Sequence, residues 1–166
     1  MLIQSEILKS AVRIVRNYVP RKSTLPILEC VRIKFDGVVL SVEGTNLEQR
    51  AIVRTDVIST IDSLDICVPE ERLLSCISQN TGMIDIYESK GVVTLKFQDK
   101  SKVTIHSLPS AEYPVASPVD DGIEFAINSD EFSKAIASII GSISKNFNTK
   151  VELTGVELKT ISDRDF

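Results

Sequence analysis

The chain has 166 residues, 43% apolar and 25% charged, the profile of a globular protein with room for one ordinary domain and a remainder. No apolar run approaches the roughly 18 residues of a membrane span, and Glu6 and Lys9 interrupt anything like a secretory signal, so no membrane partner is expected. The net charge of −4 argues mildly against nucleic acid meeting the whole surface, but Ser5 to Lys22 hold five cations and one anion, leaving one basic strip on an acidic body.

Met1 to Gln4 reads as a short strand, and Ser5 as the N-cap of a helix with Glu6 in its first turn. Leu8, Ala11, Val12, Val15 and Val19 fall on one face of that helix, which should end near Pro20. Strands are expected at 27–35, 38–43 and 49–56, with Asp36-Gly37 as a hairpin turn. A strand at 64–68 runs into Pro69, which suits the first turn of a second helix over 69–79 with Leu73, Leu74 and Ile77 inward. Three more strands follow at 83–88, 92–98 and 102–107, turning at Ser89-Lys90-Gly91.

Residues 1–108 therefore read as β-α-β-β-β twice, an α+β domain with its helices on one side of antiparallel sheet. Pro109, Pro114 and Pro118 make 109–121 an extended linker. From 122 the pattern starts again, with a strand at 123–127 and a helix at 129–144 carrying Phe132, Ala135, Ile136, Ile139, Ile140 and Ile143 on one face. One or two strands should follow. Ile3-Gln4-Ser5-Glu6 recurs as Ile127-Asn128-Ser129-Asp130, and Leu28, Val31 and Ile33 recur as Leu153, Val156 and Leu158. The offset of about 125 residues is a domain recurring, since solenoid repeats run roughly 20–50. Residues 122–166 are an incomplete second copy.

No catalytic signature is present. P-loop, G-x-G-x-x-G and H-E-x-x-H patterns are absent, and His106 is the only histidine, set in an alternating strand run. Cys30, Cys67 and Cys76 lack C-x-x-C spacing, so they read as small buried or half-buried thiols of a reducing cytoplasm, with no metal site. No cofactor is expected.

Four motifs occur in order: Ser23-Thr24-Leu25-Pro26-Ile27-Leu28, Gly44-Thr45-Asn46-Leu47-Glu48, Val68-Pro69, and Ser107-Leu108-Pro109-Ser110-Ala111-Glu112-Tyr113-Pro114. Together with the domain repeat they resemble the bacterial sliding clamp, the β subunit of DNA polymerase III, over residues 1–160. The resemblance implies a three-domain subunit, two of which close head to tail into a ring around duplex DNA. Helices line the hole, sheets form the outside, and the ring tethers the polymerase without doing chemistry. Its partners would be double-stranded DNA, a second clamp subunit, the polymerase III core and the clamp loader.

The basic strip agrees with that implication. Lys9, Arg13 and Arg16 are spaced i, i+4, i+7, on the face opposite the apolar stripe, and sliding calls for phosphate contacts that carry no sequence information. Lys22 falls where family members carry a basic DNA-contacting loop residue, and Arg21 adjoins it. In the second copy Lys145 and Lys150 flank a loop that the family also uses near DNA. The family's subunit boundary would fall on Lys100, Lys102, Val103 and Ile105 of the last strand and on Arg72 and Cys76 of the second helix. An edge strand flanked by lysines suits such pairing.

The chain departs from the family pattern at Ser162-Asp163-Arg164-Asp165-Phe166, where a Thr-Asp-Gly-His-Arg-like stretch is usual. That stretch helps form the family's peptide pocket, so no peptide-binding residues are assigned. With one domain and a fraction, the chain as given is not expected to close a ring by itself. Two readings stand: the N-terminal part of a clamp, or a stand-alone clamp-like module that pairs with a full-length clamp and regulates it. An unrelated enzyme on a similar fold has almost no support in the sequence.

Overall fold

The computed structural model describes residues 1–57, 63–115, 122, 126–146 and 150–159. The chain divides into two units, Met1–Ala116 and Ser117–Phe166. In the first, the order is β1 (Leu2–Gln4), α1 (Ser5–Val15), β2 (Cys30–Phe35), β3 (Val39–Thr45), β4 (Arg50–Asp56), β5 (Leu64–Pro69), α2 (Glu70–Ile77), β6 (Met83–Ser89), β7 (Val92–Phe97) and β8 (Lys102–His106). Single 3-10 turns occupy Arg16–Tyr18, Pro26–Glu29 and Ser110–Glu112. The unit is α+β with antiparallel sheets, as the periodicity predicts.

The two β-α-β-β-β halves do not form separate sheets. One sheet runs β1-β6-β7-β8 and the other β4-β3-β2-β5. Each half thus gives its opening strand to the sheet of the other: Ile3 pairs with Ile84, and Arg32 with Cys67. Sequence periodicity identifies strands but says nothing of which strand a neighbour will be, so this exchange was invisible in it. The Ser5 side chain belongs to the same cross-connection. It is not the expected N-cap, which is Gln4; instead Ser5 Oγ donates to Asn80 O at 2.8 Å and Ser5 N–H to Gly82 O at 2.8 Å.

The core lies where the inner faces of both sheets meet both helices. Leu8, Val12 and Val15 of α1, Leu73 and Ile77 of α2, and Val31, Ile33, Phe35, Ile84, Ile86 and Leu95 of the sheets are fully buried in one cluster. Burying such side chains contributes roughly 1.5–3 kcal/mol each before conformational entropy is subtracted. Helix α1 packs on β3, β4 and α2, while α2 packs on β5 and β8. At Gly44 the sheet comes so close to α1 that a Cβ would sit 2.7 Å from Val15 O and 2.8 Å from Val19 Cγ2.

Several boundaries differ from expectation. Residues 26–29 form a 3-10 turn, where 27–29 were expected as strand, because Pro26 fixes the turn and sends Ile27 and Leu28 into a second small core with Cys30, Cys67 and Tyr113. The β6–β7 turn is tighter than drawn: Ser89 still pairs with Val92, and Lys90 and Gly91 both take positive φ, 53° and 77°, the backbone a two-residue hairpin needs. The segment after β8 is a strap where a plain linker was expected. Leu108 N–H donates to Cys67 O at 2.9 Å, Tyr113 is buried with its hydroxyl donating to Glu43 O at 3.3 Å, and Arg50 bonds the Pro114 carbonyl. Arg32 lies over the Tyr113 ring, 5.9 Å from its centroid.

In the second unit α3 spans Ser129–Ile139, followed by a 3-10 turn to Ser142, shorter than the expected 129–144. Asn128 Oδ1 caps it, accepting from Asp130 N at 3.0 Å and Glu131 N at 3.2 Å. Ile139 and Ile140, on the expected inner face, are 44% and 57% exposed. Val151–Thr154 is a 3-10 turn rather than a strand, and 155–159 carry no strand. The expected strand at 123–127 falls largely outside the described residues, as do the end of the linker (116–121) and Ser162–Phe166.

Candidate nucleic-acid interface

Helix α1 presents its apolar stripe inward, which sends Arg13 and Arg16 outward; both are exposed. The helix tightens into a 3-10 turn at Arg16–Tyr18, and Pro20 then stops it. The chain next makes the exposed loop that carries Arg21 and Lys22. This loop is pinned from behind. Ser23 N–H donates to Glu29 Oε1 at 2.8 Å, Leu25 N–H donates to Ser23 Oγ at 3.1 Å, and Ile27 and Leu28 are buried just beyond.

Arg16, Arg21 and Lys22 line a cleft of about 760 Å³ against the start of α2, where Pro69, Glu70, Glu71 and Arg72 form the opposite wall. Four cations and three carboxylates (Glu29, Glu70, Glu71) share this cleft. Glu70 is the unexpected member. It is only 8% exposed, and its Oε1 lies 3.4 Å from Arg16 Nε with no hydrogen bond of good geometry. Burial raises its pKa, and Arg16 opposes that shift.

Lys9 does not join the strip, contrary to expectation. It is 4% exposed, its ammonium lying 2.5 Å from Glu6 Oε1 and 3.4 Å from Ser78 O. The i, i+4, i+7 spacing places it beside Arg13, but the end of α2 covers that part of the face. A buried, paired ammonium is closed to phosphate. Arg13 sits instead with Ser10, Ile14 and Asn17 on the open face. Lys145 and Lys150 are exposed in the second unit, and the centre of the loop between them, 147–149, lies outside the described residues.

The expected pairing edge divides in two. Strand β8 is the end strand of its sheet. The bonds Phe97 N–H to Ser101 O and Ser107 N–H to Gly91 O bracket the β7–β8 ladder, so alternation makes Val103 and Ile105 the residues bonded to β7. Lys102, Thr104 and His106 then direct their backbone groups to the open edge, and their side chains are exposed. Ile105 is core, 3% exposed, and Val103 is half-buried against it. Neither side chain is offered to a neighbour as expected, because the period of two turns both inward. Lys100 (φ 68°) and Arg72 are exposed and Cys76 is half-buried. Thr104 and His106 were missed, although strand alternation itself would have pointed to them.

Paired halves that exchange strands around two helices, with a basic strip at the end of the first helix, define a DNA-clamp domain. The family model for the N-terminal domain of the DNA polymerase III beta subunit matches residues 1–117. The chain is 27% identical over 136 residues to the beta sliding clamp of Pseudomonas aeruginosa, covering 81% of this chain and 37% of that protein. It is 30% identical over 114 residues to that of Pseudomonas putida, covering 68% and 31%. The solved structure of Caulobacter crescentus pol III beta superposes with a TM-score of 0.85 at 21% identity, covering 98% of this chain and 44% of that one. The chain belongs to the DNA polymerase III beta-subunit family, matched through its N-terminal domain. It spans about a third of the length of the curated relatives it matches. No helix among the described residues is long and apolar enough to cross a membrane.

Proposed function

We propose that the chain supplies the N-terminal segment of a sliding clamp, a non-catalytic processivity factor that encircles duplex DNA and tethers the replicative polymerase in the cytoplasm. The observation that carries this reading is the exposed set Arg13, Arg16, Arg21 and Lys22 at one end of α1, on a fold shared with clamps. Exposed cations at a helix end meet phosphate without reading bases, as sliding requires. Lys145 and Lys150, exposed on the second unit, are further cations proposed to meet phosphate. A ring holds its polymerase at an effective concentration that lasts while the ring stays shut. Clamp loader and polymerase core are the expected further partners.

The test is binding of a fluorescent duplex at low salt by the 166-residue chain, read as anisotropy. Lys22→Glu with Arg21→Glu should abolish measurable binding; unchanged binding overturns the reading.

The open edge of β8 favours a second element, pairing with another clamp subunit, whether in a ring or as a module that caps a full-length clamp. Thr104→Pro removes an outward N–H and spares the β7 ladder, the position in which a sheet tolerates proline. It should abolish co-elution with a full-length clamp in gel filtration while leaving the melting curve intact. Retained co-elution refutes the edge.

A further inference from the structure

The strip would contact DNA best if its cations were held in place, and one of them is held by a buried acid. Glu70 opens α2 directly after Pro69. Its side chain is one-tenth exposed, its Oε1 faces Arg16 Nε at 3.4 Å, and the same oxygen has no hydrogen bond among the described residues. Arg16 is itself half exposed at its side chain, so the guanidinium spans from a buried carboxylate to solvent. Glu71, the next residue, is exposed and has no ion pair among the described residues. Two carboxylates on adjacent positions therefore have different surroundings: one is sunk beneath a cation, the other is open.

On a surface that is to meet a polyanion, a carboxylate is a cost unless it does something for the cations. We propose that Glu70 is a positioning residue for DNA binding: it holds the Arg16 guanidinium across the cleft, so that Arg16 joins Arg21 and Lys22 in one phosphate-contacting row. The proposal rests on the DNA-facing reading above. It makes a prediction opposite in sign to simple charge counting. Removing a negative charge beside DNA should tighten binding; removing an anchor should weaken it. An arginine without its anchor keeps its charge but gives up more rotamer entropy on engaging phosphate, and its fork is no longer aimed.

The experiment measures affinity of the 166-residue chain for a labelled duplex over a series of salt concentrations. Glu70→Met keeps the length of the side chain, suits a buried site and removes the acceptor. It should bind roughly three- to tenfold more weakly, with the slope of log K against log salt shallower by about 0.9, the amount expected when one phosphate is no longer neutralised. Glu71→Gln should bind as tightly as the parent or more tightly. In an Arg16→Gln background Glu70→Met should cause no further loss. Arg16→Lys should lose as much as Arg16→Gln, because the anchored fork is gone although the charge remains. Glu70→Met binding as well as Glu71→Gln, or Arg16→Lys binding like the parent, overturns the positioning role. If Arg16→Gln and Lys22→Glu both leave affinity unchanged, the DNA-facing reading falls and this inference with it. If both weaken binding while Glu70→Met does not, only the positioning role falls.

Discussion

Gly44→Ala tests the junction on which the basic strip is mounted. Gly44 lies on β3 beneath the end of α1, in ordinary strand geometry rather than at a positive φ. Alanine would therefore suit the backbone, and in an open strand it would stabilise by roughly 0.5–1 kcal/mol. Space decides otherwise. The new Cβ would meet Val15 O at 2.7 Å, Val19 Cγ2 at 2.8 Å and Val15 Cβ at 3.2 Å. Ordinary contact begins at 3.4 Å, so the closest approach must open by about 0.7 Å (3.4 minus 2.7). The Val15 carbonyl belongs to the helix and cannot rotate aside, and valine is stiff at χ1. The end of α1 must lift. Overpacking of this kind costs about 1–3 kcal/mol, leaving a net loss of about 1–2 kcal/mol once the strand gain is set against it. For a unit of this size that lowers Tm by roughly 3–10 °C. Thermal melting by circular dichroism reads it directly. Val19→Ala in the Gly44→Ala background removes the methyl but not the carbonyl obstacle, and should restore part of the loss. A Gly44→Ala chain as stable as the parent would refute the close approach, and with it the argument that this helix end is rigidly seated.

Three further outcomes are expected. Ile105→Asp places an unpaired carboxylate in the core and should cost about 4 kcal/mol or more; a normal cooperative melt would show that Ile105 is not inward. Tyr113→Ala should cost roughly 3–5 kcal/mol and expose 108–114 to limited proteolysis, whereas Tyr113→Phe should lose only the bond to Glu43 O, about 0.5–1.5 kcal/mol; equal effects would refute the packing role of the ring. Burial pushes the Cys30 thiol up to about 11, with Glu29 adding to it, and the Cys67 thiol up to about 12, from an ordinary value of 9.0. The folded state then keeps protons that the unfolded chain loses above about pH 9, so this stability is intact below that pH and is lost as pH rises through 11 and 12. The urea midpoint should fall between about pH 8 and about pH 10.5, and at neutral pH Cys76 should react with a thiol reagent ahead of both; a flat midpoint would refute the linkage.

Much of the fold is legible because its causes are local. The stripe from Leu8 to Val15, the alternation of Val31, Ile33 and Phe35, and the punctuation at Asp36-Gly37, Pro69 and Lys90-Gly91 are short-range signals, and each produced its element. The exposed cations Arg13 and Arg16 follow from the same local logic, since a helix that buries one face must show the other, and Arg21 and Lys22 fall in the loop after Pro20. Lys9 and Glu70 escape it. Whether a charged side chain on the outer part of a helix is covered depends on a second helix whose approach no periodicity encodes.

By itself, then, the sequence determined the α+β elements, the doubled β-α-β-β-β order, the basic strip and the family. Those follow from side-chain period, turn chemistry and motif order along one chain. Tertiary structure alone decided that β1 and β5 change places between the sheets, that Tyr113 straps the β4-β3-β2-β5 sheet, and that Glu70 is sunk beneath Arg16. Each of these joins residues far apart in the chain. Their pairing is set by how two sheets and two helices share one core, a global packing problem whose solution no local window contains.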